Sequence, residues 1–460
     1  MVVGDVTTAV DVLVLGGGPA GYVAAIRAAQ LGRQVTLVDP VPPGGTCLHR
    51  GCIPLKALLT ASERYAGLRR ETLEPLGITL TGVTFDWSRL QAWKSSIVAR
   101  LAEGVRRLLA GNRVQYVAGR AWFLGPEEVR VESEQGERFK FEHCLIAVGA
   151  ETVPPPGLDY DGRTLLTPEQ ALSLQELPER LAVAGADYLA LELATLFARL
   201  GVRVRLCLPG EELLPGVEAA ALRLVQAGLR QLGVQVSSNL PPERVEERPL
   251  VVCGELRPRT AGLQLEAAGV QTDERGAVRV SPSMQSNIAR IYAAGDCAAT
   301  GAPPLASVAI KQGKVAAEAL CGRRVQFAPL ALPRVVLSSP ELATVGYSAQ
   351  EAERAGYRVK TGRFPLGANG RALMLGGETG TALVVANAED ESVLGMTVVG
   401  PRAGELIAVG VLAIEMGATL TDLAELLYAH PSLSECWLES AEGALGQAIH
   451  VLERAARTQG

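Results

Sequence analysis

The feature that limits the fold of this chain most is a glycine-rich run, GGGPAG at residues 16–21. The apolar residues 12–15 before it predict a buried strand, and the alanine-rich residues 22–31 after it predict a helix. In that context the glycines allow a tight turn and let a phosphate approach the helix N-terminus. The next predicted strand, residues 35–38, ends at Asp39, whose carboxylate could bind a ribose. The pattern predicts a dinucleotide-binding unit, and a tight turn in an unrelated α/β protein is the alternative. The candidate cofactor-binding residues of this unit are Gly16, Gly18, Pro19, Ala20, Gly21 and Asp39.

Two cysteines, Cys47 and Cys52, follow closely in the stretch GGTCLHRGCIP. A pair at this spacing can close a small disulfide ring if both thiols lie near one helical turn, and a helix N-terminus lowers a thiol pKa. His49 and Arg50 between them would favour the thiolate. The pair could also be structural, or half of a zinc site, but no further Cys or His follows before residue 143, which does not fit zinc-ligand spacing. We therefore expect no metal site here, and a redox-active pair and a structural pair remain as the two interpretations.

Several stretches along the chain resemble, in order, the motifs of one enzyme family. They are GGGPAGYVAAIRAAQLG, GGTCLHRGCIPLKALL, IYAAGDC, SPELATVGYS, FPLGANGRALMLGG and AHPSLSE. On these motifs the chain is similar to the dihydrolipoamide dehydrogenases, within the flavin-dependent pyridine nucleotide–disulfide oxidoreductases. The resemblance covers nearly the whole length.

The resemblance implies an α/β fold with two Rossmann-like dinucleotide-binding domains and a C-terminal α+β dimerisation domain. The first Rossmann-like domain would bind FAD, and the second would be a trimmed domain of the NAD type. Proline-rich residues 153–156 and residues 328–333 mark the two crossings between domains. The implied domains are residues 1–150 with 275–328 for FAD, 151–274 for the NAD type and 329–460 for dimerisation.

The resemblance also implies roles for individual side chains. Cys47 and Cys52 would form the redox-active disulfide beside the flavin. Lys56 would pair with Glu192 near the flavin N5, and a buried ion pair of this kind suggests electrostatic tuning of the flavin. The alternative is an unrelated lysine and glutamate that never meet. Further positions that match FAD contacts of the family are Gly45, Thr46, Gly149 and Asp296.

The stretch AHPSLSE implies the proton-transfer half of the site. His430 would act as the base, and Glu435 would orient its imidazole. In the family this histidine reaches the thiols from the partner subunit, so the resemblance implies a homodimer. The substrate it implies is a lipoyl-bearing protein of a 2-oxoacid dehydrogenase complex, of glycine cleavage or of another lipoyl carrier.

The composition is that of a globular protein and limits the classes of partner. The chain has 460 residues, 48% hydrophobic and 20% charged, which is enough for two or three domain cores. A net charge of −5 without long basic runs predicts no nucleic-acid partner. The absence of a signal-peptide pattern and of a long apolar run predicts a cytoplasmic location without a membrane partner.

The second dinucleotide loop, AGADYLALE at residues 184–192, departs from the family pattern. Its first glycine is Gly185 and its last position is Ala190, but Asp187 replaces the middle glycine. A carboxylate there would repel each phosphate charge by about 1–3 kcal/mol, and it could instead cap the following helix. The ribose-binding acid expected after the next strand is replaced by Leu208. The use of NAD is therefore uncertain.

Three hypotheses follow from the sequence. The first is a dihydrolipoamide dehydrogenase that still uses NAD(H). The second is a lipoamide-type flavoprotein that exchanges electrons with something other than a nicotinamide. The third is an FAD-binding assembly protein without turnover, which the retained thiols and His430 argue against.

Overall fold

The computed structural model describes residues 7–68, 73–132 and 136–452. Within them, the chain forms three large sheets: the first takes its strands from residues 7–146 and 291–293, the second from residues 165–252 and the third from residues 334–399. The implied first and last domains also include residues 1–6 and 453–460, which lie outside the described residues.

The first sheet has its strands in the order β3-β2-β1-β6-β5-β4, and β15 pairs with β6. The central strands run parallel, while β4, β5 and β6 form an antiparallel meander. Residues 12–15 of β1 have almost no exposed surface, as is typical of a parallel strand covered on both faces. The strands are β1 Thr7–Leu15, β2 Val35–Asp39, β3 Gln115–Ala118, β4 Arg120–Gly125, β5 Glu128–Glu132, β6 Glu137–Ile146 and β15 Ile291–Ala293.

Helices cover this sheet and carry the thiols. Helix α1 packs closely against α8, since a Cβ on Gly313 of α8 would lie 2.3 Å from the Ala20 carbonyl oxygen of α1. The long helix α4 begins where the Asp86 carboxylate accepts a hydrogen bond from the Arg89 N–H. These helices are α1 Pro19–Gln30, α2 Gly45–His49, α3 Cys52–Ala66, α4 Trp87–Gly111 and α8 Ala306–Leu320.

The second sheet is entirely parallel, in the order β11-β10-β9-β12-β8. Helix α6 follows β9 and is buried along most of its length. Between β11 and β12, a stretch that the structure describes in full, the chain forms only a short 3₁₀ turn at Pro242–Arg244, so this unit is trimmed as the sequence predicts. Its elements are β8 Leu165–Leu166, α5 Pro168–Ala171, β9 Arg180–Ala184, α6 Tyr188–Arg199, β10 Arg203–Cys207, α7 Ala219–Gln231, β11 Gln235–Ser237 and β12 Leu250–Val252.

Two small strand pairs lie at the connections between the units. Strand β7, Ala150–Thr152, pairs antiparallel with β13, Leu256–Pro258, so both crossings of the chain between the first two units lie side by side. Strand β14, Val278–Arg279, pairs parallel with β16, Ala298–Ala299.

The third sheet is antiparallel, in the order β17-β18-β21-β20-β19, with helices packed on it. Helix α14 lies close against β19, because a Cβ on Gly362 would meet the Ser440 carbonyl oxygen at 1.8 Å. The strands are β17 Arg334–Val336, β18 Leu342–Gly346, β19 Val359–Pro365, β20 Thr381–Asn387 and β21 Val393–Val399. The helices are α9 Ala349–Arg354, α10 Gly370–Met374, α11 Ala403–Leu406, α12 Ala408–Met416, α13 Leu420–Ala424 and α14 Glu435–Leu445.

Together these units are the implied α/β architecture: two Rossmann-like parallel sheets followed by an α+β unit. Among the described residues, the structure contains no helix with the length and apolar character needed to cross a membrane.

Candidate functional site

The thiols of Cys47 and Cys52 are brought together by two short helices. Cys47 lies in α2, Cys52 is the first residue of α3, and both are free, half-buried thiols. The hydrogen bond from Cys47, helped by the charge of Lys56, lowers the pKa of Cys52 to about 7. The same hydrogen bond, together with burial, raises the pKa of Cys47. The pair is therefore asymmetric, because the pKa of Cys52 is lowered while that of Cys47 is raised.

His49 and Arg50 are not among the main causes of the thiol pKa shifts. The His49 Nε2 atom lies 3.1 Å from the Pro42 carbonyl oxygen and 3.0 Å from that of Pro43, so this ring is engaged with the preceding loop. The charge of Arg50 acts on Asp39, where it favours the carboxylate. The cation that lowers the Cys52 pKa is Lys56, one helical turn further along α3.

The structure brings Lys56 and Glu192 together across the two Rossmann-like units. The Lys56 Nζ atom donates to Glu192 Oε2 at 2.5 Å. Glu192 has 0% of its surface exposed, and its Oε1 accepts a hydrogen bond from the Leu337 N–H at 3.0 Å. A buried carboxylate needs such partners for both oxygens, because desolvation alone would favour its neutral form. The pair therefore joins α3, α6 and the chain after β17.

Tyr188 lies close to several site residues. It is the first residue of α6, and Lys56 Nζ lies 5.9 Å from the centre of its ring. Burial raises the pKa of Tyr188, and the negative charges of Cys52, Glu192 and Asp296 raise it further. Cys52, Glu192 and Asp296 therefore all lie close enough to Tyr188 for their charges to act on it.

The glycine-rich loop of the first unit forms a cradle at the N-terminus of α1. Gly16 has a φ of +101°, and a Cβ there would lie 2.4 Å from the Ala147 carbonyl oxygen. A Cβ on Gly21 would lie only 1.8 Å from the Gly16 carbonyl oxygen, so the helix packs directly on the loop. Gly18 caps α1 without a side-chain hydrogen bond, and a Cβ on it would meet nothing nearer than Gly45, at 3.9 Å. The space above this helix end is open, as a phosphate site requires.

The remaining candidate cofactor residues border the same loop. Asp39 is buried, and its carboxylate accepts hydrogen bonds from the Gly17 N–H at 2.5 Å and the Val41 N–H at 2.9 Å. Thr46 lies in α2, and Gly149 has a φ of +70° just after β6. Asp296 is exposed, yet desolvation by the surrounding protein raises its pKa. Pro19, Ala20 and Gly45 line the turn itself.

His430 and Glu435 form a dyad in the third unit. His430 Nδ1 lies 2.7 Å from Glu435 Oε1, and Glu435 Oε2 accepts a hydrogen bond from the Ser432 N–H at 2.7 Å. Burial opposes ionisation of Glu435, but the bonds from Ser432 and His430 outweigh it and lower the Glu435 pKa. The His430 side chain is 82% exposed, and in the part of the chain that the structure describes it bonds to Glu435 and to neither thiol.

A second histidine–carboxylate pair lies one turn further along α14. His450 Nδ1 is 2.6 Å from Glu439 Oε1. The sequence alone indicates no partner for His450, because the two residues are separated by the end of the helix. The one feature of the sequence that points to this pair is the four-residue spacing of Glu435 and Glu439, which places both carboxylates on one helix face.

The second dinucleotide loop differs from the first at the helix end. Asp187 caps α6, and its Oδ1 accepts a hydrogen bond from the Ala190 N–H at 3.0 Å. The carboxylate is exposed, and desolvation by the protein around it raises its pKa. Leu208, at the position of the expected ribose-binding acid, is buried. The helix end that is open in the first unit therefore carries its own acidic group in the second.

A cleft of about 280 Å³ opens beside this loop, at the carboxyl ends of β9 and β12. Its wall is largely apolar, its charged residue is Glu255, and it contains no lysine or arginine. The negative charge of Asp187 acts on Cys253 of this wall. The lining residues are Val153, Pro154, Pro155, Pro156, Ala184, Pro209, Pro242, Val252, Cys253, Gly254 and Glu255.

Comparison with known proteins places this arrangement in a family. Residues 10–313 match the family model described as pyridine nucleotide-disulphide oxidoreductase, and residues 332–441 match that family's dimerisation domain. The chain belongs to the pyridine nucleotide-disulphide oxidoreductase family.

Members of this family resemble the chain over almost its full length. It is 39% identical to dihydrolipoyl dehydrogenase of Bacillus subtilis, over 98% of this chain and 100% of that protein. It is 41% identical to the dihydrolipoyl dehydrogenase of Thermus scotoductus, over 96% of this chain and 99% of the relative. Among solved structures, LpdA of Mycobacterium tuberculosis superimposes with a TM-score of 0.87 at 28% identity, covering 95% of this chain and 99% of LpdA.

As a family member, the chain is an FAD-dependent oxidoreductase acting on sulfur groups. The residues present fit the cofactor, because the open helix end at Gly18 suits a pyrophosphate and the buried Asp39 lies beside it. Among the described residues, no group of three or more His, Cys, Asp or Glu side chains could hold a metal ion.

Some contacts of this family member leave no trace in its sequence. The Leu337 N–H that binds Glu192 is a backbone group, so no residue type marks it. The side chain of Asn369 donates a hydrogen bond to the loop that carries His430. The sequence marks Asn369 only by its position in the family-like stretch FPLGANGRALMLGG.

Proposed function

We propose that this protein oxidises protein-bound dihydrolipoyl groups, with Cys47 and Cys52 as the exchanging disulfide and His430 as the proton acceptor. The observation that carries the proposal is the placement of Cys47 and Cys52 in hydrogen-bond contact with each other and near the Lys56 cation, which helps to lower the pKa of Cys52. The full-length similarity to dihydrolipoyl dehydrogenases supports the choice of substrate.

The exchange would begin when His430 takes a proton from one thiol of the substrate. The substrate thiolate attacks Cys47 Sγ, a new S–S bond forms, and the bond between Cys47 and Cys52 breaks. Cys52 leaves as a thiolate, and its lowered pKa makes it the better leaving group.

The second substrate thiol completes the exchange. After losing its proton, it attacks the substrate sulfur bonded to Cys47 and closes the oxidised disulfide. Cys47 leaves and takes up a proton, as its raised pKa favours. Two electrons have then passed from the substrate dithiol to the Cys47–Cys52 pair, which is left as a thiol and a thiolate.

Bound FAD would supply the two-electron acceptor for the reduced pair. Gly16, Gly18, Gly21 and Asp39 would hold it, with the further positions Pro19, Ala20, Gly45, Thr46, Gly149 and Asp296. Lys56 and Glu192 would set the charge next to the thiolate, because Lys56 lowers the Cys52 pKa and Glu192 opposes that effect.

The proposed active form is a homodimer. The match to the family's dimerisation domain supports it. The high exposure of His430 agrees with an approach to the thiols of a second copy.

A second candidate concerns the electron exit. Asp187 places an acidic group at the helix end where a nicotinamide dinucleotide would seat its pyrophosphate, and the adjoining cleft offers no cation. Coulomb repulsion between the carboxylate and a phosphate weakens such binding. The candidate is a lipoamide-type flavoprotein whose electrons pass to or from a partner other than a nicotinamide.

Anaerobic titration of the purified yellow protein tests both candidates. Dihydrolipoamide should produce the long-wavelength absorbance of a thiolate beside the flavin, and no spectral response would overturn the dithiol proposal. Excess NADH or NADPH should then be added to fresh oxidised protein. Rapid bleaching by NADH would overturn the second candidate and leave an NAD-using dihydrolipoamide dehydrogenase.

A further inference from the structure

The loop that carries His430 has few polar attachments to the rest of its unit. Ser432, two residues after His430, provides two of them through its backbone. Its N–H donates to Glu435 Oε2 at 2.7 Å, and its carbonyl oxygen accepts from the side-chain amide of Asn369 at 2.9 Å. The first bond joins the loop to Glu435, the first residue of α14. The second ties the loop to a separate element, the start of α10.

Asn369 performs two tasks with one amide group. Its Oδ1 accepts a hydrogen bond from the Ala372 N–H at 2.9 Å and caps α10, while its Nδ2 donates to Ser432. The side chain can form both bonds at once because an amide has an acceptor and a donor on opposite sides. Asn369 is only 5% exposed, so each lost bond would leave a backbone group poorly solvated.

The bonds form a continuous chain to the imidazole. Asn369 holds the Ser432 carbonyl, the Ser432 N–H holds one oxygen of Glu435, and the other oxygen lies 2.7 Å from His430 Nδ1. Apolar packing also connects the loop to α10, because Leu433 of the loop and Ala372 of α10 belong to the same buried apolar cluster of the third unit. The His430 side chain itself is largely exposed and has no comparable packing.

We propose that Asn369 is a positioning residue for His430, acting through Ser432 and Glu435 to fix the direction of the imidazole. This inference rests on the proposed function, in which His430 accepts the substrate proton. Proton transfer needs the acceptor within hydrogen-bond reach of the donor, so a loop that shifts by a fraction of an ångström lowers the rate more than the binding of substrate.

The test separates the two tasks of Asn369. Asn369→Ser keeps a short side-chain oxygen that can cap α10 but removes the amide donor to Ser432, because serine and asparagine are similar caps. Asn369→Ala removes both. Asn112→Ser is the matched control, since Asn112 Nδ2 donates to the Leu108 carbonyl oxygen at 2.8 Å at the end of α4, outside the site.

The first measurement is amide hydrogen exchange of the flavin-loaded dimer, followed by mass spectrometry. In Asn369→Ser, exchange in residues 428–434 should become faster than in the parent protein, while exchange in α10 stays nearly unchanged. Unchanged exchange in residues 428–434 would overturn the inference. Hydrogen exchange does not depend on the substrate. It therefore tests whether Asn369 holds the loop through Ser432 even if dihydrolipoamide proves not to be a substrate.

The second measurement is steady-state oxidation of dihydrolipoamide across a pH series, with dichlorophenolindophenol, a two-electron dye, as the electron acceptor and the uncatalysed rate subtracted. Asn369→Ser should lower kcat by about three- to tenfold, the effect of one lost hydrogen bond, with KM nearly unchanged and a displaced pH profile. Asn112→Ser should change neither. A variant with faster loop exchange but parental kcat and pH profile would show a structural anchor only and would overturn the positioning role. Absence of turnover by the parent protein would contradict the proposed function instead.

Discussion

The Lys56 ammonium lies 2.5 Å from a Glu192 carboxylate that has no exposed surface. The two residues come from the first and second Rossmann-like units, and Lys56 also acts on the Cys52 thiol. The pair therefore links the electrostatics of the redox centre to the packing of α3 on α6. Removing one partner leaves the other charge without compensation.

We predict that Lys56→Met raises the pKa of Cys52 above its value of about 7, because the cation that stabilises the thiolate is lost. The shift should be about one pH unit, and the buried Glu192 charge left behind should lower the free energy of unfolding by about 3 kcal/mol. A pH titration of thiolate absorbance in the reduced protein measures the first effect, and denaturant unfolding measures the second. Lys360→Met, which breaks the 2.8 Å pair with Glu391 in the third unit, is the control. An unchanged Cys52 midpoint would contradict the prediction.

The hydrogen bond from Cys47 is the largest cause of the lowered Cys52 pKa. Cys47→Ala removes that donor, so the midpoint of Cys52 should move from about 7 toward 9.0. Cys47→Ser retains a donor and should keep the midpoint near 7. Because Cys52 is an acid whose pKa is lowered, its thiolate appears as the pH rises through the midpoint and disappears as the pH falls. Equal midpoints in the alanine and serine variants would show that the hydrogen bond is not the cause.

Asp187→Gly should strengthen the binding of NADH by about tenfold or more, because it removes a repulsion of about 1–3 kcal/mol per charge pair. Anaerobic calorimetry with the oxidised protein measures the dissociation constant. Asp187→Asn keeps a cap for the Ala190 N–H without the charge and should give most of the gain. Asp86→Asn changes the cap of α4 in the same way and should have no effect. Tight NADH binding by the parent protein would contradict the prediction.

Gly18→Ala should fold normally but bind less flavin. A Cβ at Gly18 meets no atom nearer than 3.9 Å, so the loop can accept it, yet the added methyl occupies the open end of α1. The measurement is the molar ratio of flavin to purified protein, with circular dichroism to verify folding. Gly104→Ala, at a position in α4 with nothing within 4 Å, is the control. A parental flavin ratio in Gly18→Ala would place the phosphate site elsewhere.

Much of the architecture can be predicted from local sequence. The loop at residues 16–21 is recognisable because glycine, strand and helix occur together, and the trimmed second unit is visible as a short stretch before β12. The replacement by Asp187 is equally visible, and its capping bond follows from the preference of aspartate for helix N-termini.

The directions of side chains and their long-range contacts are harder to predict from the sequence. His49 is close to the thiols in sequence but bonds to the loop at Pro42 and Pro43, because the turn between α2 and α3 sets its direction. His450 finds Glu439 only after the chain beyond α14 folds back. Closeness in sequence therefore predicts a side-chain contact only where both residues lie in one regular helix or strand.

The hydrogen bond from the Leu337 N–H to Glu192 has a consequence for biosynthesis. The C-terminal unit is synthesised last, and it supplies the second partner of the most deeply buried carboxylate next to the redox centre. A nascent chain that has completed only its two nucleotide-type units would hold Glu192 with one partner missing. The hydrogen bonds of the carboxylate beside the thiols are therefore complete only when the final unit docks.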